Sequence, residues 1–247
     1  MHTLWLLKIF IAAMACFSGC GAGSGVPDAG QLDAGRPDAG DPGEFPYDFQ
    51  AAAAYAALHD GACVLVQIDG AIVFEEYQNG AEPDTAFHIH SATKAFWASA
   101  CAAAVDDELL DGFDQTVSET IVEWQDFDLH GGKRLITLQN LLELTSGLSQ
   151  DVDQIQGLDA QADDIYQYVI DELRLLWQPG SRFQYGPSHF YAFGVLLQRR
   201  LERAGMDPDP LAYLQARILD PIGLDYASWA RDPAGNPHIP NGAHLTA

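Results

Sequence analysis

Basic residues are scarce in this chain. Its 247 residues include 12 Lys and Arg against 35 Asp and Glu, a formal net charge of −23. Such a charge repels phosphate, which excludes nucleic acid and argues against an anionic lipid surface as the main partner. Cysteine is sparse too: there are four, and two of them fall within the first 20 residues. That leaves Cys63 and Cys101, one in a strand-like run and one in an Ala-rich helical run. An exported location permits a disulfide between them, but cysteines in such runs are more often buried thiols. The apolar run Ile9 to Phe17 is too short to span a bilayer. Metal ligands are thin as well. His88 and His90 can share one strand face, but no third ligand stands at metal spacing, so neither a metal nor another cofactor is expected.

What is present starts with an export signal. Residues 1–19 hold a weakly basic start, the apolar run and Ser18-Gly19, with Cys20 following. The arrangement resembles a bacterial lipoprotein signal, in which the cysteine is lipidated and becomes the first mature residue; Phe17 stands where Leu is usual. The resemblance implies a protein of the bacterial cell envelope, lipid-anchored on the periplasmic side or at the cell surface. Residues 20–44 are almost all Gly, Ala, Pro and Asp, with Asp-Ala-Gly at 28–30, 33–35 and 38–40. They have nothing with which to bury a core and read as a disordered tether. The folded domain is expected over residues 45–247, and the chain's 48% apolar content is that of a globular protein.

The domain opens with an Ala-rich helical run, Tyr47 to Leu58. Two β-rich runs, Ala62 to Ile68 and Ala71 to Tyr77, flank Asp69-Gly70, the strongest short signal for a hairpin. Next comes Phe87-His88-Ile89-His90-Ser91-Ala92-Thr93-Lys94, an extended run that turns into a helix at Ser91. Such a helix puts Lys94 one turn on from Ser91, on the same face. Apolar burial lowers a lysine pKa, and a neutral lysine can act as base for a serine nucleophile. The spacing also predicts a short helix capped by Thr137 and stopped at Gly147, and a longer one from about Ala160 to Trp177. A further helix carries Phe190, Phe193, Leu197 and Leu201 on one face, and another runs from Leu211 to Leu219.

Four stretches together resemble the penicillin-recognising serine hydrolases, which include class C β-lactamases, DD-peptidases and related esterases and amide hydrolases. Ser91-Ala92-Thr93-Lys94 is similar to the nucleophile motif. Ile136-Thr137 through Thr145-Ser146-Gly147-Leu148 is similar to a structural segment of the family. Phe183-Gln184-Tyr185 matches the segment with the catalytic tyrosine, and Pro221-Ile222-Gly223-Leu224 matches a later turn. The resemblance implies an α+β fold: a β-lactamase-like antiparallel sheet flanked by helices, plus a helical subdomain. It implies an acyl-enzyme at Ser91, with Lys94 and Tyr185 sharing the role of base, acting on an ester, amide or β-lactam. The substrate would be a small molecule or peptidoglycan-like.

Two departures stand out. The family has a polar residue two positions after the tyrosine, where this chain has Pro187; Ser188 is the expected substitute for substrate contact. His189 is expected at the surface. The family's late-strand motif, Lys-Thr-Gly or His-x-Gly, is absent, so the late strands and the second oxyanion donor are expected to be missing from a C-terminally truncated domain. That keeps a second class open: a catalytically inactive fragment or binding lipoprotein that retains part of the fold.

Overall fold

The structure is a computed structural model that describes residues 47–126, 131–150 and 163–246. The expected signal, tether and Cys20 lie outside the described residues. The chain divides into two units, one running to Thr85 and one from Ala86 to Thr246.

In the first unit, helix α1 (Phe49–Leu58) is capped by Asp48, whose carboxylate accepts the Ala51 N–H at 2.8 Å. Strands β1 (Cys63–Ile68) and β2 (Ala71–Tyr77) form the expected antiparallel hairpin. Asp69 and Gly70 both take positive φ, 50° and 83°, as a two-residue turn matched to strand twist requires. The Phe49 ring lies 5.7 Å from that of Phe74, and Asn79 Nδ2 donates to Ala57 O and Gly61 O. Helix and hairpin are therefore tied at both ends.

The second unit is built on two helices. Helix α2 (Lys94–Asp106) buries Trp97, Ala100, Cys101 and Ala104 at helical spacing. Trp97 reaches Phe193 edge-on at 6.5 Å and Trp229 at 5.7 Å. Helix α3 (Leu138–Leu142) has the expected Thr137 cap, closed reciprocally by Asn140. Helix α4 (Ile165–Asp171) is followed by the long α5 (Ser188–Arg203), which is buried from Ser188 to Leu197. Arg199 and Arg200, on the polar edge of α5, pair with Glu123 and Asp111. Helix α6 (Pro210–Leu214) runs on through a wider π turn, Gln215–Leu219. Cys63 and Cys101 are free thiols. Among the described residues no helix is long and apolar enough to cross a membrane.

Several expectations need correction. The α-helix begins at Lys94, not Ser91; a 3₁₀ turn, His90–Thr93, precedes it. The hairpin is not the only sheet. Strands β3 (Phe87–His88), β4 (Ser228–Trp229) and β5 (Ala243–Leu245) form a second antiparallel sheet in the order β3-β5-β4. Helix α3 stops at Leu142 rather than at Gly147, because Leu144 takes a positive φ of 58°. Of the helix expected from Ala160 to Trp177, the part before Asp163 lies outside the described residues. The rest is helical only to Asp171, because the chain beyond it bonds to the segment after α3. Ser149 N donates to Arg174 O, Leu176 N and Trp177 N both donate to Gly147 O, and Gly180 N donates to Thr145 O.

Gly147 is central to that staple. Its φ is 79°, and a Cβ there would lie 2.0 Å from the Trp177 carbonyl oxygen. The obstruction is backbone, so no rotamer relieves it. Gly147→Ala is expected to cost at least about 1–3 kcal/mol through the left-handed conformation alone. Urea unfolding will read this as a lower midpoint; an unchanged midpoint would mean that the 174–180 segment is not pinned here.

Candidate active site

The turn that carries Ser91 is held from three sides. β3 pairs with β5, and Ile89 N donates to Ala243 O at 3.0 Å. His90 then takes a φ of 48°, a left-handed conformation that non-glycine residues adopt at a cost. Thr93, fully buried, secures it: its hydroxyl donates to His90 O at 2.6 Å and accepts from Ala243 N at 3.3 Å. Ser91 sits within this turn, half-buried, where helix-opening N–H groups have no partner in the helix.

Lys94 is the first residue of α2, so its side chain rises beside Ser91. Its Nζ lies 2.9 Å from Ser91 Oγ and 3.0 Å from Pro240 O. The residue is only 9% exposed, and among the described residues no carboxylate pairs with it. Burial lowers its pKa from 10.5 to about 8. The faces of Tyr185 and Phe190 stand 5.3 and 5.9 Å from Nζ and offset part of the lost hydration. Charged, Lys94 donates to both oxygens. Neutral, it can keep its bond to Pro240 O and accept the Ser91 hydroxyl proton.

The other residues singled out in the sequence divide. Tyr185 stands beside Lys94, 56% exposed, and its hydroxyl makes no side-chain hydrogen bond among the described residues. Ser188 does not join them. It is fully buried at the start of α5, and its hydroxyl donates to Ser149 O at 2.6 Å, which leaves it no free surface for a substrate. His189 is not at the surface as expected. It is fully buried between Ser146 Oγ on Nδ1 and Gln184 O on Nε2, each at 2.8 Å. Burial lowers its pKa to about 4, with the Gln184 bond opposing the shift and the Lys94 charge adding to it.

The His88–x–His90 pair gains a neighbour. His244 on β5 stacks on His88 at 4.7 Å, and the His90 ring lies 4.0 Å from that of His88. His88 Nε2 meets the Asn241 carbonyl, so that nitrogen is occupied. Among the described residues no group of three or more His, Cys, Asp or Glu is arranged to hold a metal.

Sequence reasoning missed Thr93, Pro240 and the buried role of His189. The Thr93 signal was available, since a Thr two residues after Ser91 can bond back to the turn. The Pro240 contact had no signal: it joins residues 146 positions apart.

No curated protein sequence matches the chain significantly. Solved structures do match. A candidate 6-aminohexanoate-dimer hydrolase of Bacillus anthracis is 18% identical with a TM-score of 0.60, over 75% of this chain and 51% of its own. A candidate beta-lactamase of Bacteroides dorei DSM 17855 is 24% identical with a TM-score of 0.60, over 81% and 60%. The octameric penicillin-binding protein homologue of Pyrococcus abyssi is 17% identical with a TM-score of 0.55, over 75% and 49%. At these identities the likeness is one of fold. The chain spans about half to three fifths of the length of these relatives. The Beta-lactamase family model matches residues 50–246, taking in the Ser91 turn, the Thr145–Leu148 segment and the Tyr185 loop together, and on that match the chain belongs to the Beta-lactamase family.

Proposed function

We propose that this protein is a serine hydrolase that opens an ester, amide or β-lactam through an acyl-enzyme at Ser91. The observation that carries this reading is the 2.9 Å approach of a buried Lys94 Nζ to Ser91 Oγ. Neutral Lys94 takes the hydroxyl proton as Ser91 Oγ bonds to the carbonyl carbon, and the carbonyl π pair moves onto its oxygen. The Ser91 backbone N–H, in the opening turn, is assigned to that oxyanion. As the oxyanion collapses, the bond to the leaving oxygen or nitrogen breaks, and the Lys94 ammonium supplies its proton. Water then attacks the acyl ester and gives a proton to the same base, which returns it to Ser91.

Tyr185 is assigned the partner role in proton transfer, with its hydroxyl drawn in once a substrate fills the space beside Lys94. Hydrogen bonds of this kind are often loose in an empty site and tighten in the complex. The names of the structural neighbours, a hydrolase and a beta-lactamase, support acyl-bond cleavage, and the penicillin-binding protein homologue supports a small-molecule or peptidoglycan-like substrate. We assign the protein to the bacterial cell envelope, anchored by a lipid on Cys20. The support is the apolar run ending in Ser18-Gly19-Cys20.

Three outcomes are expected. A fluorophosphonate probe labels the full chain, and Ser91→Ala abolishes the label; labelling of Ser91→Ala at the wild-type rate would refute the nucleophile. Lys94→Ala slows labelling by about 10²–10⁴-fold. The wild-type rate should also rise with pH, because the neutral form of Lys94 is the base and its pKa is about 8. From pH 7 to the alkaline plateau the gain is about tenfold; a rate that is flat between pH 7 and 9 would remove Lys94 from that role. The anchor is tested separately. Cys20→Ala should move the protein from the membrane fraction to the soluble one, and unchanged partitioning would sink the lipid assignment.

A further inference from the structure

We propose that His189 is a positioning residue of this site, acting through its bond to the Gln184 carbonyl to hold Tyr185 beside Lys94. The inference rests on the hydrolase reading above. The Gln184 carbonyl can only accept, so the His189 proton sits on Nε2. Nδ1 is then an acceptor, and the Ser146 hydroxyl donates to it. Ser146 Oγ in turn accepts the Leu148 N–H at 3.2 Å. Every hydrogen runs in one consistent direction, and the imidazole stays neutral in its buried position.

The consequence falls on the backbone before Tyr185. Gln184 N donates to Leu144 O at 2.9 Å, and Gln184 O accepts from His189, so both main-chain groups of this residue are fixed. On the other side, Gly186 lies against Gln150: a Cβ at Gly186 would be 2.1 Å from Gln150 Oε1, which also accepts the Ser188 N–H. Tyr185 itself is exposed and has no side-chain hydrogen bond among the described residues, so its place over Lys94 depends on these backbone anchors. An apolar residue of similar size would fill the His189 position equally well as packing. What it would lack is the donor to residue 184.

Two substitutions separate positioning from filling. His189→Gln carries an amide N–H out to about the Nε2 position and keeps the Gln184 bond. His189→Asn reaches only about as far as Nδ1 and keeps the Ser146 bond. His189→Leu keeps neither. In the full chain, His189→Gln is expected to label with fluorophosphonate at close to the wild-type rate. The Asn and Leu variants should be slower by about tenfold or more, because small misplacements at a reacting centre are costly. Hydrogen exchange over residues 183–186 should rise in the Asn and Leu variants and stay low in the Gln variant. Equal labelling by the Gln and Asn variants, or unchanged exchange in all variants, would overturn the proposal. If the Leu variant does not fold, the Gln and Asn pair still decides it. If the wild-type chain does not label at all, the hydrolase reading falls, and the exchange comparison alone still tells whether His189 holds the segment.

Discussion

A lysine kept nearly dry beside a serine is the constraint on which the rest of this site depends. Lowering its pKa from 10.5 to about 8 corresponds to about 3 kcal/mol against the charged form. That cost is carried by the packing around it. Lys94 opens α2, and α2 is fixed three residues later by Trp97, which is fully buried against Phe193 and Trp229. Burying a large apolar side chain contributes about 1.5–3 kcal/mol, so one such neighbour offsets most of the cost. Ala100 and Ala104 extend the buried face of the same helix. Lys94 is thus held by a helix whose inner face is packed.

Burial and a low pKa do not by themselves make a site, and Lys133 shows why. It is 2% exposed, its pKa is also lowered to about 8 by burial, and it lies over a Trp124 ring at 5.2 Å. Its Nζ donates to a main-chain carbonyl, Ile170 O, and the charges of Asp171 and Glu172 pull its pKa back up. Beside Lys94, a half-buried hydroxyl stands at 2.9 Å, at the entrance to the helix. A pKa of about 8 is common to the two lysines, and the neighbouring hydroxyl is what marks Lys94.

The same distinction explains what could be read in the sequence. Ser91 and Lys94 meet because they are three residues apart in a helical turn, and that spacing is visible in a string of letters. The Asp69-Gly70 hairpin, the Thr137 cap and the apolar face of α5 are local signals of the same kind. Ser188 was singled out because it follows Pro187. The start of α5 turns its hydroxyl inward to Ser149 O, a partner 39 residues away. The stretch from Arg174 to Trp177 kept a helical pattern, but its backbone bonds to residues 147–149 instead. The second sheet was hidden because β3 and β4 are two residues long, too short for any periodicity. Ser188 and the 174–177 stretch were misjudged because long-range partners decided them.

The chain's acidity sharpens the point. With 35 acidic residues and 12 basic ones, a cation without a carboxylate partner is in short supply. Arg199, Arg200, Arg217 and Arg231 each pair with an Asp or Glu. A carboxylate beside Lys94 would favour its ammonium and push the pKa back up, and the proposed base would become a fixed charge. Pro240 O does something different. A main-chain carbonyl accepts a hydrogen from the ammonium and from the neutral amine alike, so it orients Nζ without choosing its protonation state. Proline has no N–H of its own to place near the ammonium. The last described segment thus provides a dipole where the composition of the chain would most readily have provided a charge, which leaves Lys94 able to serve in the proposed proton exchange with Ser91.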